Sequence, residues 1–224
     1  MKRIFYTLLV LSVAVTSCQK DISGEIPDEA GAGNDSYQPT SKGSYWKYKQ
    51  TGMFAGEYDM VSTGQTQTID GIVYTSFTNG AGGAAAQMLL GKKGSNYYLR
   101  VAGNSPNTGA PFDLTQLYTN ETEAVGYTWD FLAGHGNGFT AKTPGKILEK
   151  GITLTVQGKT YKDVIHTQIK LQYQMPSPIG LIETVTYDYY VAKGVGMIKI
   201  DSKGDPVWTG GVSSESELTE YSIK

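Results

Sequence analysis

Polar and apolar residues alternate with period two along much of this chain, the signature of strands with one buried face. The clearest run is 160–174, where Ile165, Thr167, Ile169, Leu171 and Tyr173 alternate against His166, Gln168, Lys170 and Gln172. Trp46 and Tyr48 alternate with Lys47 and Lys49, and Val185, Tyr187, Tyr189 and Val191 share one face of a later stretch. Asp70-Gly71 separates 57–69 from 72–78, and Gln157-Gly158 separates 147–156 from 160–174, each a two-residue hairpin signal. A third hairpin is expected from 84–90 and 96–101, and short strands from 112–118, 126–131, 197–200 and 217–223. No stretch carries a convincing helical period. About ten to twelve strands follow, predicting an all-β fold: an antiparallel barrel of lipocalin or calycin type, or a β-sandwich.

Glycine and proline punctuate this pattern at 103–111, at 176–180 and at Gly134-His135-Gly136-Asn137-Gly138, which reads as a loop. Three echoes suggest two similar halves, 43–118 and 119–224. Thr66 to Tyr74 aligns with Thr153 to Tyr161 as T-x-T-[IV]-x-G-x-x-Y, Gly43 and Trp46 match Gly126 and Trp129, and Tyr97-Tyr98 matches Tyr189-Tyr190. Chains rich in hairpins reuse Thr, Gly and Tyr, so the echoes also have a simpler origin. A true repeat requires the two hairpins and their flanking strands to coincide.

The alternation fails at the N-terminus. Lys2 and Arg3 precede a mostly apolar run over 4–15, too short to span a bilayer, which needs roughly 20 residues. Small residues then lead to Cys18, giving the three-part pattern of an export signal over 1–17. Val15-Thr16-Ser17-Cys18 resembles the bacterial lipobox, which implies lipidation of Cys18 and a lasting membrane anchor. Cys18 is the only cysteine among 224 residues, so the mature chain is expected to carry neither a free thiol nor a disulfide. Gln19 in place of aspartate favours outer-membrane sorting, with the periplasmic or surface face open. From 18 to 42 the chain is polar and acidic with Tyr37 as its one aromatic, a composition that reads as a flexible linker. Such a coil would hold the domain about 25 to 30 Å from its anchor. The folded domain is expected to begin at 43.

The net charge of −2 gives no electrostatic case for nucleic acid. Twenty-eight glycines and sixteen tyrosines favour strands and turns and make the tyrosines the least ordinary feature. Trp46, Tyr48, Tyr97, Tyr98, Tyr187, Tyr189 and Tyr190 fall on expected strands, where they pack a core or line a ligand site. With two histidines available, His135 in its glycine loop is the better ligand-binding candidate, and His166 reads as a surface residue. Gly80, Gly82 and Ala85 form a nominal dinucleotide fingerprint, but no helix of useful length follows. No catalytic triad, no metal-ligand spacing and no cofactor motif is visible. Glu121, Glu123, Asp130, Glu183 and Asp188 remain available for glycosidase chemistry but read as solvated charges.

The lipobox, acidic linker and all-β domain together resemble small lipoproteins of Gram-negative bacteria described as lipid-binding or lipocalin-like. That resemblance implies a non-enzymatic, membrane-anchored protein holding an apolar or amphipathic ligand in a barrel cavity. The first alternative is a structural or accessory subunit binding a protein or glycan partner through exposed tyrosines. The second is an extracellular hydrolase.

Overall fold

In the computed structural model, residues 35–53, 55–79, 86–104, 109–136 and 138–224 are described. They form fourteen strands: β1 (Tyr45–Gly52), β2 (Gly56–Ile69), β3 (Ile72–Asn79), β4 (Ala86–Lys93), β5 (Asn96–Asn104), β6 (Pro111–Asn120), β7 (Thr128–Trp129), β8 (Leu132–Gly136), β9 (Phe139–Lys142), β10 (Gly145–Val156), β11 (Lys159–Gln174), β12 (Leu181–Ala192), β13 (Gly196–Gly204) and β14 (Ser213–Ser222). No helix occurs among the described residues. Antiparallel pairing runs from β1 through β6 to β8, β9, β11, β12, β13 and β14, and β14 pairs back to β1. The protein is therefore a closed twelve-stranded barrel, which decides between barrel and sandwich.

Two strands lie outside the ring and exceed the expected count. β11 is long enough to pair with β9 through Gln172–Gln174 and with β10 through Lys159–Ile169 on the same edge. β10 in turn carries β7, through Gly145 opposite Trp129. β8 and β9 are short and close the ring only near one end. Towards the other, β6 meets β11 directly, where the Thr167 hydroxyl donates to the Tyr118 carbonyl at 2.5 Å.

The two hairpin signals are real. Asp70 and Gly71, like Gln157 and Gly158, all have positive φ, between 49° and 77°, as a type I′ turn requires. Trp46 on β1 pairs beside the first hairpin and Trp129 on β7 beside the second, so two echoes occupy matching positions. The third does not. Tyr97-Tyr98 lies on β5, two strands beyond its hairpin, whereas Tyr189-Tyr190 lies on β12, the immediate neighbour of β11. Moreover β1 and β2 belong to the ring, while β7 and β10 do not.

Because strand direction alternates, the barrel has two distinct ends. One carries the connections β1–β2, β3–β4, β5–β6, β8–β9, β11–β12 and β13–β14. The opposite end receives the chain at 35–44, and there residues assigned by composition to the linker are packed: Tyr37 and Gln38 are buried. The Ser36 carbonyl accepts from Gly194 N–H at 2.8 Å, and Tyr37 N–H donates to the Tyr97 hydroxyl at 3.2 Å. The folded body thus begins ahead of Gly43. A low overall apolar content concealed two side chains that fit the barrel floor.

Candidate functional site

A barrel of about eight strands is just wide enough for its own side chains to fill, and width grows with strand number. Twelve strands leave a broader lumen, and large aromatics fill its lower half. Trp46, Tyr48, Tyr97, Tyr118 and Tyr189 lie inside with at most 3% of their surface exposed. Each polar tip finds a partner. Trp46 Nε1 donates to the Val195 carbonyl at 2.6 Å, Tyr48 to the Met197 carbonyl at 2.7 Å, and Tyr189 to Gln116 Oε1 at 2.8 Å. The Tyr97 hydroxyl donates to Glu121 Oε2 at 2.5 Å and accepts from Lys92 Nζ at 2.8 Å. Burial raises the Tyr48, Tyr118 and Tyr189 hydroxyls well above the usual phenol range, so all stay neutral donors.

Of the two roles the sequence left open for Trp46, Tyr48, Tyr97 and Tyr189, core packing or lining a ligand site, the buried interior accounts for them as core. They pack the interior of a wide barrel.

The upper half differs. Tyr58, Met88, Leu99, Leu114, Tyr173 and Tyr187 pack with the core clusters yet remain half-buried. Together they form a half-buried inner ring. Tyr187 sits deepest, beside Tyr189 with ring centroids 6.0 Å apart, and burial pushes its hydroxyl up to about 12. Of the predicted tyrosines, Tyr187 alone faces this region. Three neighbouring connections at this end expose apolar side chains: Met53 after β1, Ile179 before β12 with Leu181 at its start, and Val207, Trp208 and Val212 between β13 and β14. They adjoin, since Met53 N–H donates to Ser213 and Asp205 N–H to Thr184.

Two further predicted residues lie together on the outer wall. Tyr98 and His135 line a cleft of about 370 Å³ across β3, β5, β6 and β8. His135 is on strand β8, opposite Asp113 and Thr140, and does not lie in a loop. The glycines that suggested a loop have steric causes: a Cβ at Gly134 would come within 2.4 Å of the Asp113 carbonyl, and one at Gly136 within 2.7 Å of the Tyr173 hydroxyl.

Tyr190, the last predicted residue, faces outward and stacks on His166 with centroids 4.2 Å apart. His166 is buried and held between carboxylates, Nδ1 3.0 Å from Glu149 and Nε2 2.9 Å from Asp188. Burial lowers its pKa, but the bonds to Asp188 and Glu149 outweigh this and raise it overall. The surface reading of His166 is therefore overturned. Its alternation with Ile165 and Ile169 was read correctly, but β10 and β12 cover that face with partners distant in sequence. Asp188 also borders a polar cleft of about 400 Å³ with Asp201, Ser202, Ser214 and Glu215. No group of three acidic, histidine or cysteine side chains is placed to hold a metal ion among the described residues. Cys18 and the Gly80, Gly82 and Ala85 motif lie outside the described residues.

The fold and its interior define a closed antiparallel barrel with an aromatic-packed interior. No protein-family model matches the chain, and no curated protein matches its sequence. It is similar to a crystal structure from Bacteroides fragilis described as a candidate exported protein with a YmcC-like fold. Sequence identity is 11% and the TM-score 0.46, over 82% of this chain and 97% of that chain.

Proposed function

We propose that this protein is an exported, non-enzymatic binding protein that takes an apolar or amphipathic ligand in the upper half of its barrel. The observation that carries this reading is the half-buried inner ring above the sealed floor. Apolar side chains and tyrosines together suit an occupant with a hydrocarbon body and few polar groups, because each tyrosine offers one hydroxyl and a large apolar face. The lipobox residues Val15 to Cys18 support a lipid anchor on Cys18 and a place at the outer membrane, on either face. Residues 19–34 would then tether the barrel.

The test is titration of the full-length protein with cis-parinaric acid, a fluorescent fatty acid. Wild type should bind saturably, and Leu114→Arg, which places a charge in the ring, should weaken binding about tenfold or more. Arg100→Ala, on the outer wall, should bind as wild type does. Equal binding by all three proteins, or none by wild type, would overturn the proposal.

A second reading, a subunit that docks a protein partner, draws on the apolar rim. Val207 at 80% and Trp208 at 46% exposure stand on one loop, and Met53 at 50% stands on the adjoining one, as interaction surfaces do. A photo-crosslinking residue at position 208 should then give one discrete adduct in intact cells, and its absence would remove this reading.

A further inference from the structure

We infer that the cleft on the outer wall is a second binding site, separate from the lumen, and that it takes neutral sugar units of an oligosaccharide. Its floor is aromatic: Tyr74 and Tyr98 are buried side by side, and Phe131 leans over Tyr98 with ring centroids 5.8 Å apart. The floor depends on Gly91. A Cβ there would come within 2.5 Å of the Tyr74 ring, so only glycine lets that ring lie against β4.

Polar groups meet this apolar wall from one side. Arg100 Nε donates to Asp113 Oδ1 at 2.8 Å, and Nη2 donates to Oδ2 at 2.5 Å. The Arg100 side chain is only 18% exposed, so the fork is held in place, whereas Asp113 is 50% exposed and lines the cleft. His135 stands opposite Asp113 on β8 at the cleft edge. Lys93 approaches from the far side, its Nζ 3.5 Å from the Asp70 carbonyl.

This chemistry discriminates among ligands. A simple anion gains little, because the guanidinium is already neutralised by a bidentate carboxylate. An acyl chain would leave the fork and imidazole desolvated without partners, which costs roughly 1 to 3 kcal/mol per group. A sugar ring meets both requirements: its C–H face covers the half-buried Phe131, which the two buried tyrosines back, while its hydroxyls donate to Asp113 and accept from Arg100. The volume of about 370 Å³ falls within the range of small-ligand sites, roughly 300 to 1,000 Å³. Exposed Leu132 and His135 mark an unroofed lip, so neighbouring units of a chain can extend beyond the cleft.

The experiment is isothermal titration of the full-length protein with maltohexaose, cellohexaose, mannohexaose and xylohexaose at millimolar concentrations, repeated with Asp113→Asn and Phe131→Ala. At least one neutral oligosaccharide should bind saturably to wild type. Each variant should weaken that binding about tenfold or more while remaining folded by circular dichroism and leaving the cis-parinaric acid titration unchanged. Leu114→Arg should leave sugar binding intact, which separates failure of this site from failure of the lumen. Absence of binding across the panel, or binding indifferent to both variants, would overturn the inference.

Discussion

His166 shows how far one residue's role depends on neighbours remote in the chain. Its imidazole bridges Glu149 on β10 and Asp188 on β12 and stacks on Tyr190, with Lys199 the strand partner of Tyr190 on β13. The sign of its pH dependence follows from a pKa raised on folding. Its stabilising contribution is complete below the unfolded value of about 6.5 and is lost as pH rises through the folded value. Urea unfolding of wild type and His166→Gln should therefore show a larger stability difference near about pH 5.5 than near about pH 8.5. A difference that grows with pH would contradict the charged bridge. His135 illustrates the converse. Two flanking glycines suggested a loop, yet they answer the Asp113 carbonyl and the Tyr173 hydroxyl across strand pairs that no local pattern specifies.

At the scale of elements, the alternating pattern specified most strands because period two is a local property. Trp46 and Tyr48, or Ile165 and Ile169, declared their shared faces before any partner was known. The type I′ turns at Asp70-Gly71 and Gln157-Gly158 were equally legible, since φ restricts their residues directly. The N-terminal strap was not legible. Its composition is that of a linker, and only the floor of a closed barrel gives Tyr37 and Gln38 somewhere to go. Tyr37 packs edge-on against Tyr97 at 6.3 Å, and the Gln38 amide lies 3.1 Å from where a Cβ on Gly196 would stand. Tyr37→Ala should cost about 3 kcal/mol in urea unfolding, the range of buried aromatic truncations. A negligible loss would mean that the strap merely rests on the barrel.

For the whole molecule, closure is the property that sequence withheld and on which the proposed ligand site rests. Strand pattern alone suits a barrel and a sandwich equally; the return of β14 to β1 decides the matter. Once twelve strands close, the abundance of tyrosine acquires a physical cause, because a wide lumen needs long side chains whose hydroxyls can reach partners. The same closure divides the candidate residues: Trp46, Tyr48, Tyr97 and Tyr189 become core, Tyr187 joins the half-buried inner ring, Tyr98 and His135 share an outer cleft, and Tyr190 supports His166. Sequence could name these side chains but could not sort them by which side of a closed wall they occupy.

The methionines report on that division directly. Met88 belongs to the half-buried inner ring, while Met60 and Met197 are sealed in the core at 5% and 2% exposure. In the full-length protein with carbon-13 labelled methionine methyls, titration with palmitate should shift the Met88 resonance saturably and leave those of Met60 and Met197 in place. A titration that leaves Met88 unmoved, or that moves only the exposed Met53, would contradict a ligand in the upper half of the barrel.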